Sequence, residues 1–262
     1  MMDVVVLTLA AAVVATSFIT ACDASKEAFK TATLLKTLSV NALITGELGV
    51  GKKSLASYIL PDAPVLDASK FDELLVALES SSEIIITNLE KSPNIKRIFD
   101  IINTNDIRVV ATAKGSFYNK DIDEFFSVKF NIPPLQDRPE DIRLLVERFI
   151  SEASLLFGGG EKFNIKNFIP DLSENSNSLR RQVMIDFLLQ DIKDTELMNI
   201  MENYMLDKLG SNSDYKNLLY LYEVPLIKAG ISKFKSQLKL SDKLGLNRNT
   251  LRKKIADNKQ YL

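Results

Sequence analysis

Residues 46–54 of this 262-residue chain read GELGVGKKS and directly follow the apolar run NALIT. Gly46, Gly51 and Lys52 fit the pattern Gly-x4-Gly-Lys-Ser/Thr, but Lys53 stands where a hydroxyl residue is required. NALIT predicts a strand, GELGVG a turn and KKSLASYIL a helix, so backbone N–H groups and the positive helix end would face a triphosphate. The sequence therefore predicts a phosphate-binding loop, with Lys52 reaching the terminal phosphates.

Apolar and helical stretches alternate from residue 23 to about residue 132. Short apolar strands separated by helices are typical of a parallel sheet that is buried on both faces. Strands are predicted at NALIT, APVLDA, EIIIT, IRVVATA and FSVKFNI, and helices at SKEAFKTATLLKTL, GKKSLASYIL, KFDELLVALES and NIKRIFDIINT.

A helical region follows the predicted sheet. PPLQDRPEDIRLLVERFISEASLLF has a proline-marked helix start, a glycine cluster lies at 158–160, and LRRQVMIDFLLQDI predicts a further helix. LGSNSD, at 209–214, is small and polar and resembles a linker. The predicted organisation is an α/β domain over 1–140, a helical lid over 141–208, a linker over 209–221 and a C-terminal domain over 222–262.

Composition narrows the chemistry that is available. The chain is 46% hydrophobic and 26% charged, which is ordinary for a globular protein. It has one cysteine, Cys22, and no histidine, so it has no internal disulfide, and it lacks the commonest zinc ligand and the commonest general base. Metal hydrolases and Ser-His or Cys-His catalysis are therefore excluded.

Charge is unevenly distributed along the chain. Residues 222–262 carry ten Lys or Arg and three acids, a balance of +7, so the other 221 residues carry −8 of the total of −1. A basic terminal module on an acidic body indicates a polyanionic partner, most simply nucleic acid.

The basic module has a helix-turn-helix pattern. QLKLSDKLGLNRNTLRKKIAD predicts two helices joined by a tight turn at 244–247, with Leu240, Leu244, Leu251 and Ile255 facing inward. The opposite face of the second helix would be presented to the major groove. The DNA-binding candidates are Asn247, Arg248, Asn249 and Thr250 at its start, where bases are read, with Arg252, Lys253 and Lys254 as phosphate contacts.

These motifs, in this order, resemble the sigma-54 activator family, the bacterial enhancer-binding proteins. Residues 18–60 resemble the opening of their AAA+ domain, PPLQDRPEDI the segment entering its lid, NSLRRQV the lid's sensor helix and LGLNRNTLRKKI the closing Fis-type signature. The resemblance implies an AAA+ P-loop parallel sheet with a helical lid, followed by an all-α Fis-type helix-turn-helix domain. The nucleotide-binding candidates are Gly46, Glu47, Leu48, Gly49, Val50, Gly51, Lys52, Lys53 and Ser54, with Arg180 as the lid sensor.

Several parts that the family uses for hydrolysis are replaced. SSEIIITNLEKSP fits the frame of the Walker B strand but places Thr87 and Asn88 where two acids belong. Hydrolysis needs one carboxylate to support Mg²⁺ and another to polarise the attacking water. Lys114 aligns with the first sensor, an Asn in the family, and no arginine lies between Arg108 and Arg138, where the family's trans-acting finger occurs.

The loop that grips the sigma factor is also missing. Fewer than thirty residues separate the phosphate loop from the Walker B strand, where the family has roughly seventy including a GAFTGA motif. We therefore expect a cytoplasmic, homodimeric transcriptional regulator that binds specific sequences of double-stranded DNA and is not an enzyme. Its AAA+ domain would serve as a scaffold, a platform for a transcription or regulatory partner, or a sensor of ATP or ADP without a metal. The alternative is an active AAA+ ATPase that activates transcription.

The N-terminal stretch from Val4 to Cys22 is uncharged, and ITAC at 19–22 resembles a lipoprotein cleavage box. A secretory peptide needs a positive n-region, whereas the first residues are Met-Met-Asp. We interpret the stretch as a buried strand or apolar helix and expect no membrane partner, with a membrane-tethered interaction protein as the other reading.

Overall fold

The computed structural model describes residues 18–158 and 168–262. The chain divides into two compact units, one ending at Asp191 and one running from Ile192 to Leu262. Nearly all of the apolar run that begins at Val4 lies outside the described residues, as do Gly159 and Gly160.

A five-stranded parallel sheet forms the centre of the first unit, as the sequence predicts. Its strand order is β2-β3-β4-β1-β5, and all neighbouring pairs are parallel. The chain leaves β1 for the edge strand β2, so the carboxyl end of β1 lies at a topological switch point, where ligands bind in such sheets. The strands are β1 (Ala42–Gly46), β2 (Val65–Asp67), β3 (Glu83–Thr87), β4 (Arg108–Ala113) and β5 (Val128–Ile132).

Helices cover both faces of the sheet because successive strand residues point to opposite sides. Ile84 and Ile86 of β3 belong to one apolar cluster, whereas Ile85 belongs to the cluster on the other face. The helices of this layer are α1 (Asp23–Thr37), α2 (Lys52–Ile59), α3 (Phe71–Ser80), α4 (Ile95–Thr104) and α5 (Lys120–Phe125). Of these, α5 is absent from the sequence prediction.

A helical segment follows β5 in the same unit. A short 3-10 turn at Leu135–Asp137 leads into α6 (Pro139–Phe157), and α7 (Ser176–Leu189) packs against it. Pro139 occupies the first turn of α6, where a missing N–H costs nothing. Val146 and Phe149 of α6 and Leu179 and Val183 of α7 form the buried core of this segment.

The second unit is entirely helical within its described residues. It contains α8 (Asp194–Leu206), α9 (Asp214–Leu218), α10 (Tyr220–Phe234), α11 (Gln237–Lys243) and α12 (Arg248–Asp257). The boundary differs from the predicted domains, since α8 falls in this unit rather than with the lid, and the predicted linker 209–221 holds α9 and the start of α10. Apolar residues of α8 and α10 line one groove, which associates α8 with the second unit.

Residues 19–22, which resemble a cleavage box, lead directly into α1. Cys22 is buried, caps the start of α1, and accepts a hydrogen bond at Sγ from the N–H of Ser25. A cysteine in this place stabilises a helix and has a packing role. Across residues 18–158 and 168–262, no helix has the length and apolar character needed to cross a bilayer.

Candidate nucleotide site and DNA-binding surface

The predicted phosphate loop connects the end of β1 to the start of α2. Its glycines are required by the backbone: Gly46, Gly49 and Gly51 have φ values of 146°, 78° and 104°. A Cβ on Gly46 would lie 2.6 Å from the carbonyl oxygen of Ile132, and one on Gly49 would lie 2.2 Å from that of Glu174. The loop is therefore confined by β5 on one side and by the lid on the other.

Backbone N–H groups at the loop apex are free to bind an anion. No backbone acceptor within the described residues takes the N–H of Leu48 or Gly49. These groups precede the first turn of α2, whose own N–H groups and dipole also favour negative charge. The loop has the local conformation that the predicted phosphate site needs.

Lys52 folds back onto its own loop. Its Nζ donates to the carbonyl oxygens of Gly46 and Glu47 at 2.7 and 2.6 Å. Burial lowers the pKa of Lys52, opposed by the charges of Glu90 and Glu47 and assisted by the charge of Lys114. The lysine thus lies on the loop and is surrounded by two acids and a second cation.

The lid and its entry segment hold the remaining loop carbonyls. Asn175 Nδ2 donates to the oxygen of Leu48 at 2.9 Å, and the N–H of Ser176 donates to that of Gly49 at 3.2 Å. Arg138 donates to the oxygen of Val50 at 3.0 Å. Because Leu48, Gly49 and Val50 are each bonded from outside the loop, its shape is fixed by the protein itself.

Asn175 is the most heavily bonded of these residues. It is buried, has a φ of 54°, accepts the N–H of Leu135 at 2.6 Å and donates to the Glu47 carboxylate at 3.0 Å. Sequence reasoning missed it, since no local pattern marks a contact between residues 128 positions apart.

Arg138 links the loop to the start of α1. It forms an ion pair with Asp141 at 3.4 Å, and burial lowers the pKa of Arg138 while Asp141 opposes that shift. Asp141 in turn accepts the N–H groups of Ala21 and Cys22 at 2.7 and 3.1 Å. Arg138 and Asp141 both lie in the predicted lid-entry motif PPLQDRPEDI. That motif is the sequence feature that could have identified them as part of the site.

A cavity of about 240 Å³ lies beside the loop. It is lined by residues from the loop, from the segment before α1, and from α6 and α7, among them Phe18, Gly51, Arg138, Phe149, Asn177 and Arg180. Mixed apolar walls with a few polar groups suit a nucleotide base and ribose beside the phosphate loop.

Arg180, the predicted lid sensor, borders this cavity but is already paired. Its Nε donates to Glu152 of α6 at 3.0 Å, and that hydrogen bond raises the pKa of Arg180. A nucleotide phosphate would have to compete with this carboxylate for the guanidinium.

The two positions where Walker B acids belong face β2. Thr87 Oγ1 donates to the carbonyl oxygen of Leu66 at 3.1 Å, and Asn88 Nδ2 donates to Asp67 at 2.6 Å. Although desolvation raises it, hydrogen bonds from Ser69 and Asn88 leave the pKa of Asp67 lowered. These neutral side chains lie in the predicted frame, each bonded to a partner on β2.

Magnesium, which the resemblance implies for a nucleotide site, does not fit these residues. Lys53 occupies the place of the hydroxyl ligand, and neither Thr87 nor Asn88 carries a charge. Within the described ranges, no three His, Cys, Asp or Glu side chains form a group that could hold a metal ion.

Helices α11 and α12 lie where the sequence predicts a helix-turn-helix and are joined by a short turn. Leu240 and Leu251 are buried with Ile227 of α10, and Leu244 and Ile255 pack against them, as the spacing predicts. Gly230 permits this packing, because a Cβ there would lie 2.2 Å from Leu240 Cδ1. The turn contains Gly245 at a φ of 63°.

The start of α12 is open to solvent. Asn247 caps the helix by accepting the N–H of Asn249 at 2.9 Å. The other predicted DNA contacts on this face are exposed, namely Arg248, Asn249, Thr250, Arg252 and Lys253.

Lys254, also predicted to contact phosphate, differs from these residues in its environment. It is half-buried and forms an ion pair with Glu223 of α10, on the core side of the helix. The local sequence RKK predicts a continuous basic face. The ion pair could not be predicted from it, because Glu223 lies 31 residues earlier in the chain.

Two curated proteins share sequence with this chain. Both are DNA-binding transcriptional regulators named NtrC, from Rhizobium meliloti (strain 1021) and Azospirillum brasilense, and each is 26% identical over 58% of this chain. The chain spans 42% and 41% of their lengths. No family model matches the sequence.

Solved structures of NtrX from Brucella abortus have the same fold. One superposes with a TM-score of 0.60 at 15% identity, covering 91% of this chain and 68% of NtrX. NtrX in complex with ADP and with ATP gives TM-scores of 0.57 and 0.53 at 16% and 17% identity, each covering 92% of this chain and 69% of NtrX. The predicted combination of an AAA+ sheet with a helical C-terminal region is confirmed.

Proposed function

Because this chain is related to the NtrC-type activators of the sigma-54 family, we propose that it is a transcriptional regulator that binds double-stranded DNA through α12. The observation that carries this proposal is the exposed polar and basic start of α12 above a closed apolar core. Early residues of such a helix reach base edges, while its lysines and arginines neutralise phosphates. A DNA partner also implies a cytoplasmic protein.

A DNA titration tests this assignment. Arg248→Ala is expected to weaken binding to a selected site by about 1–3 kcal/mol and to relax the base preference, as for a base-reading arginine. Lys228→Ala, an exposed lysine on α10, serves as the matched control. The proposal fails if fluorescence anisotropy on a pool of DNA sequences finds no site that Arg248→Ala affects more than the control.

The AAA+ unit in this proposal binds ATP or ADP and does not hydrolyse it. The fixed loop, the adjoining cavity and the complexes of NtrX with ATP and ADP support nucleotide binding. The neutral pair Thr87–Asn88 and the lysine at position 53 argue against turnover, since hydrolysis needs charged groups that support Mg²⁺ and polarise water.

Glu90 favours the competing function, an active ATPase. Its carboxylate accepts the N–H of Lys114 at 3.2 Å and its charge acts on Lys52, so it lies near the loop although the sequence frame does not predict it. Phosphate release by the purified chain with DNA separates the two functions. ATP hydrolysis that disappears in both Lys52→Ala and Glu90→Gln would establish the ATPase. It would exclude a site that binds nucleotide without hydrolysing it.

A homodimer is part of the proposal because a two-fold protein places two recognition helices one duplex turn apart. Exposed apolar side chains on α8 and α10 support it: Leu197, Ile200, Tyr204, Tyr222 and Leu226 line one groove of about 510 Å³. Ile200→Glu is expected to give monomers in analytical ultracentrifugation. The AAA+ unit remains the candidate platform for a transcription or regulatory partner.

A further inference from the structure

The nucleotide site combines a fixed phosphate loop with an unsuitable set of metal ligands. In P-loop ATPases the ion is held by the loop Ser or Thr and by the Walker B Asp. Here an exposed lysine, Lys53, follows Lys52, and the strand that should supply the acid ends in Thr87. The first change removes the hydroxyl ligand and adds a positive charge, and the second removes a carboxylate.

A second cation borders the loop from the neighbouring strand. Thr45 of β1 pairs with Ala113 of β4, so the residues that follow, Gly46 and Lys114, are neighbours across the sheet. Lys114 is exposed, and its charge acts on Lys52. The carboxyl ends of β1 and β4 thus present lysines at the place where a terminal phosphate would lie.

Buried Arg138 places a further positive charge beside the loop. Its side chain is almost fully buried, lines the cavity and forms an ion pair with Asp141 at 3.4 Å.

Glu47 and Glu90 are the acids near these cations. Glu47 accepts Asn175, and Glu90 accepts the N–H of Lys114, so each already has a protein partner. Their negative charges act against the lowering of the Lys52 pKa. They thereby offset the repulsion between Lys52 and Lys114 when no ligand is bound. They are also the groups that would have to leave their partners to bind a metal.

We propose that this site binds the phosphates of ATP or ADP as a metal-free polyanion, with Lys114 as a second phosphate-binding cation beside Lys52. The inference rests on the nucleotide binding proposed above and states its ionic form. Positive side chains take the role that Mg²⁺ has in an ATPase, namely to neutralise the phosphate charge, and leave no ion to activate water.

Isothermal titration of the full chain with ATP, in excess EDTA and in excess Mg²⁺, tests this inference. The affinity in EDTA is expected to equal or exceed that in Mg²⁺, because Mg²⁺ would mask the phosphate charge that the lysines recognise. Lys114→Ala is expected to weaken binding in EDTA about tenfold, since a charge-assisted bond to phosphate is lost. Lys96→Ala, an exposed lysine of α4, is the control and should bind like the parent.

Each contrary result has a separate meaning. Binding that is about tenfold tighter with Mg²⁺ would overturn the inference and leave the proposed nucleotide binding intact. Equal binding by Lys114→Ala and the parent in EDTA would overturn the role of Lys114. No binding in either buffer would remove nucleotide binding from the proposed function, whereas the DNA titration would still stand.

Discussion

The predicted phosphate loop and the predicted DNA-binding start of α12 are built in opposite ways. In the loop, the carbonyls of Leu48, Gly49 and Val50 are each bonded by a residue from elsewhere in the unit. In α12, the polar face is bonded mainly to itself through Asn247, and its cations extend into solvent. The first surface is shaped before any ligand arrives, and the second is only charged.

This difference determines which ligands each surface can distinguish. A fixed backbone nest selects by distance and is little affected by salt, because its donors are N–H groups in defined positions. Exposed lysines and arginines bind any polyanion, and salt weakens them strongly. Substitutions of the loop backbone and of the residues that hold it should therefore act through stability, whereas substitutions on the exposed face of α12 should act through ionic interactions.

Gly49→Ala is expected to have the largest effect on stability. A Cβ would lie 2.2 Å from the Glu174 carbonyl, and the φ of 78° is unfavourable for alanine, so we expect a loss of about 3 kcal/mol in urea unfolding. Gly158→Ala is the control: its φ is 70°, and nothing in the described structure lies within 4 Å of its Cβ. Equal losses in the two variants would mean that the lid does not confine the loop.

Asn175→Asp is expected to cost about 2 kcal/mol, because it keeps the shape and removes two donors. It would also place a carboxylate 3.0 Å from Glu47 Oε2, so the loss should be smaller at acidic pH, where a carboxyl group takes up a proton. Adding Glu47→Gln should restore part of the stability. Urea midpoints that are the same for Asn175→Asp and the parent would contradict the bonding role of Asn175.

The neighbouring variants Lys254→Ala and Lys253→Ala have the smallest expected effects. The first should change stability, and the second should change the salt dependence of DNA binding. Lys254→Ala breaks a half-buried ion pair with Glu223 and should lower the free energy of unfolding by about 1 kcal/mol. Lys253→Ala should keep that stability and reduce the slope of log affinity against log salt by about 0.9. If Lys254→Ala also reduced the slope of log affinity against log salt, Lys254 would be a phosphate contact.

Much of the fold could be predicted because its signals are local. The block EIIIT is apolar enough to identify a buried strand, and the glycine spacing of the loop requires a turn. By contrast, α5 reads KDIDEF, which has too few apolar residues to show a helical period. Asn175 and Glu223 act on partners 128 and 31 residues away, and such pairs depend on tertiary geometry that one sequence does not display.

Asp141 has a mechanical consequence for the whole first unit. It accepts the backbone N–H groups of Ala21 and Cys22 and pairs with Arg138, which holds Val50. Two side chains, Asp141 and Arg138, therefore couple the backbone just ahead of α1 to the apex of the loop. A shift of Ala21 or Cys22 would be passed on to Val50 through this coupling.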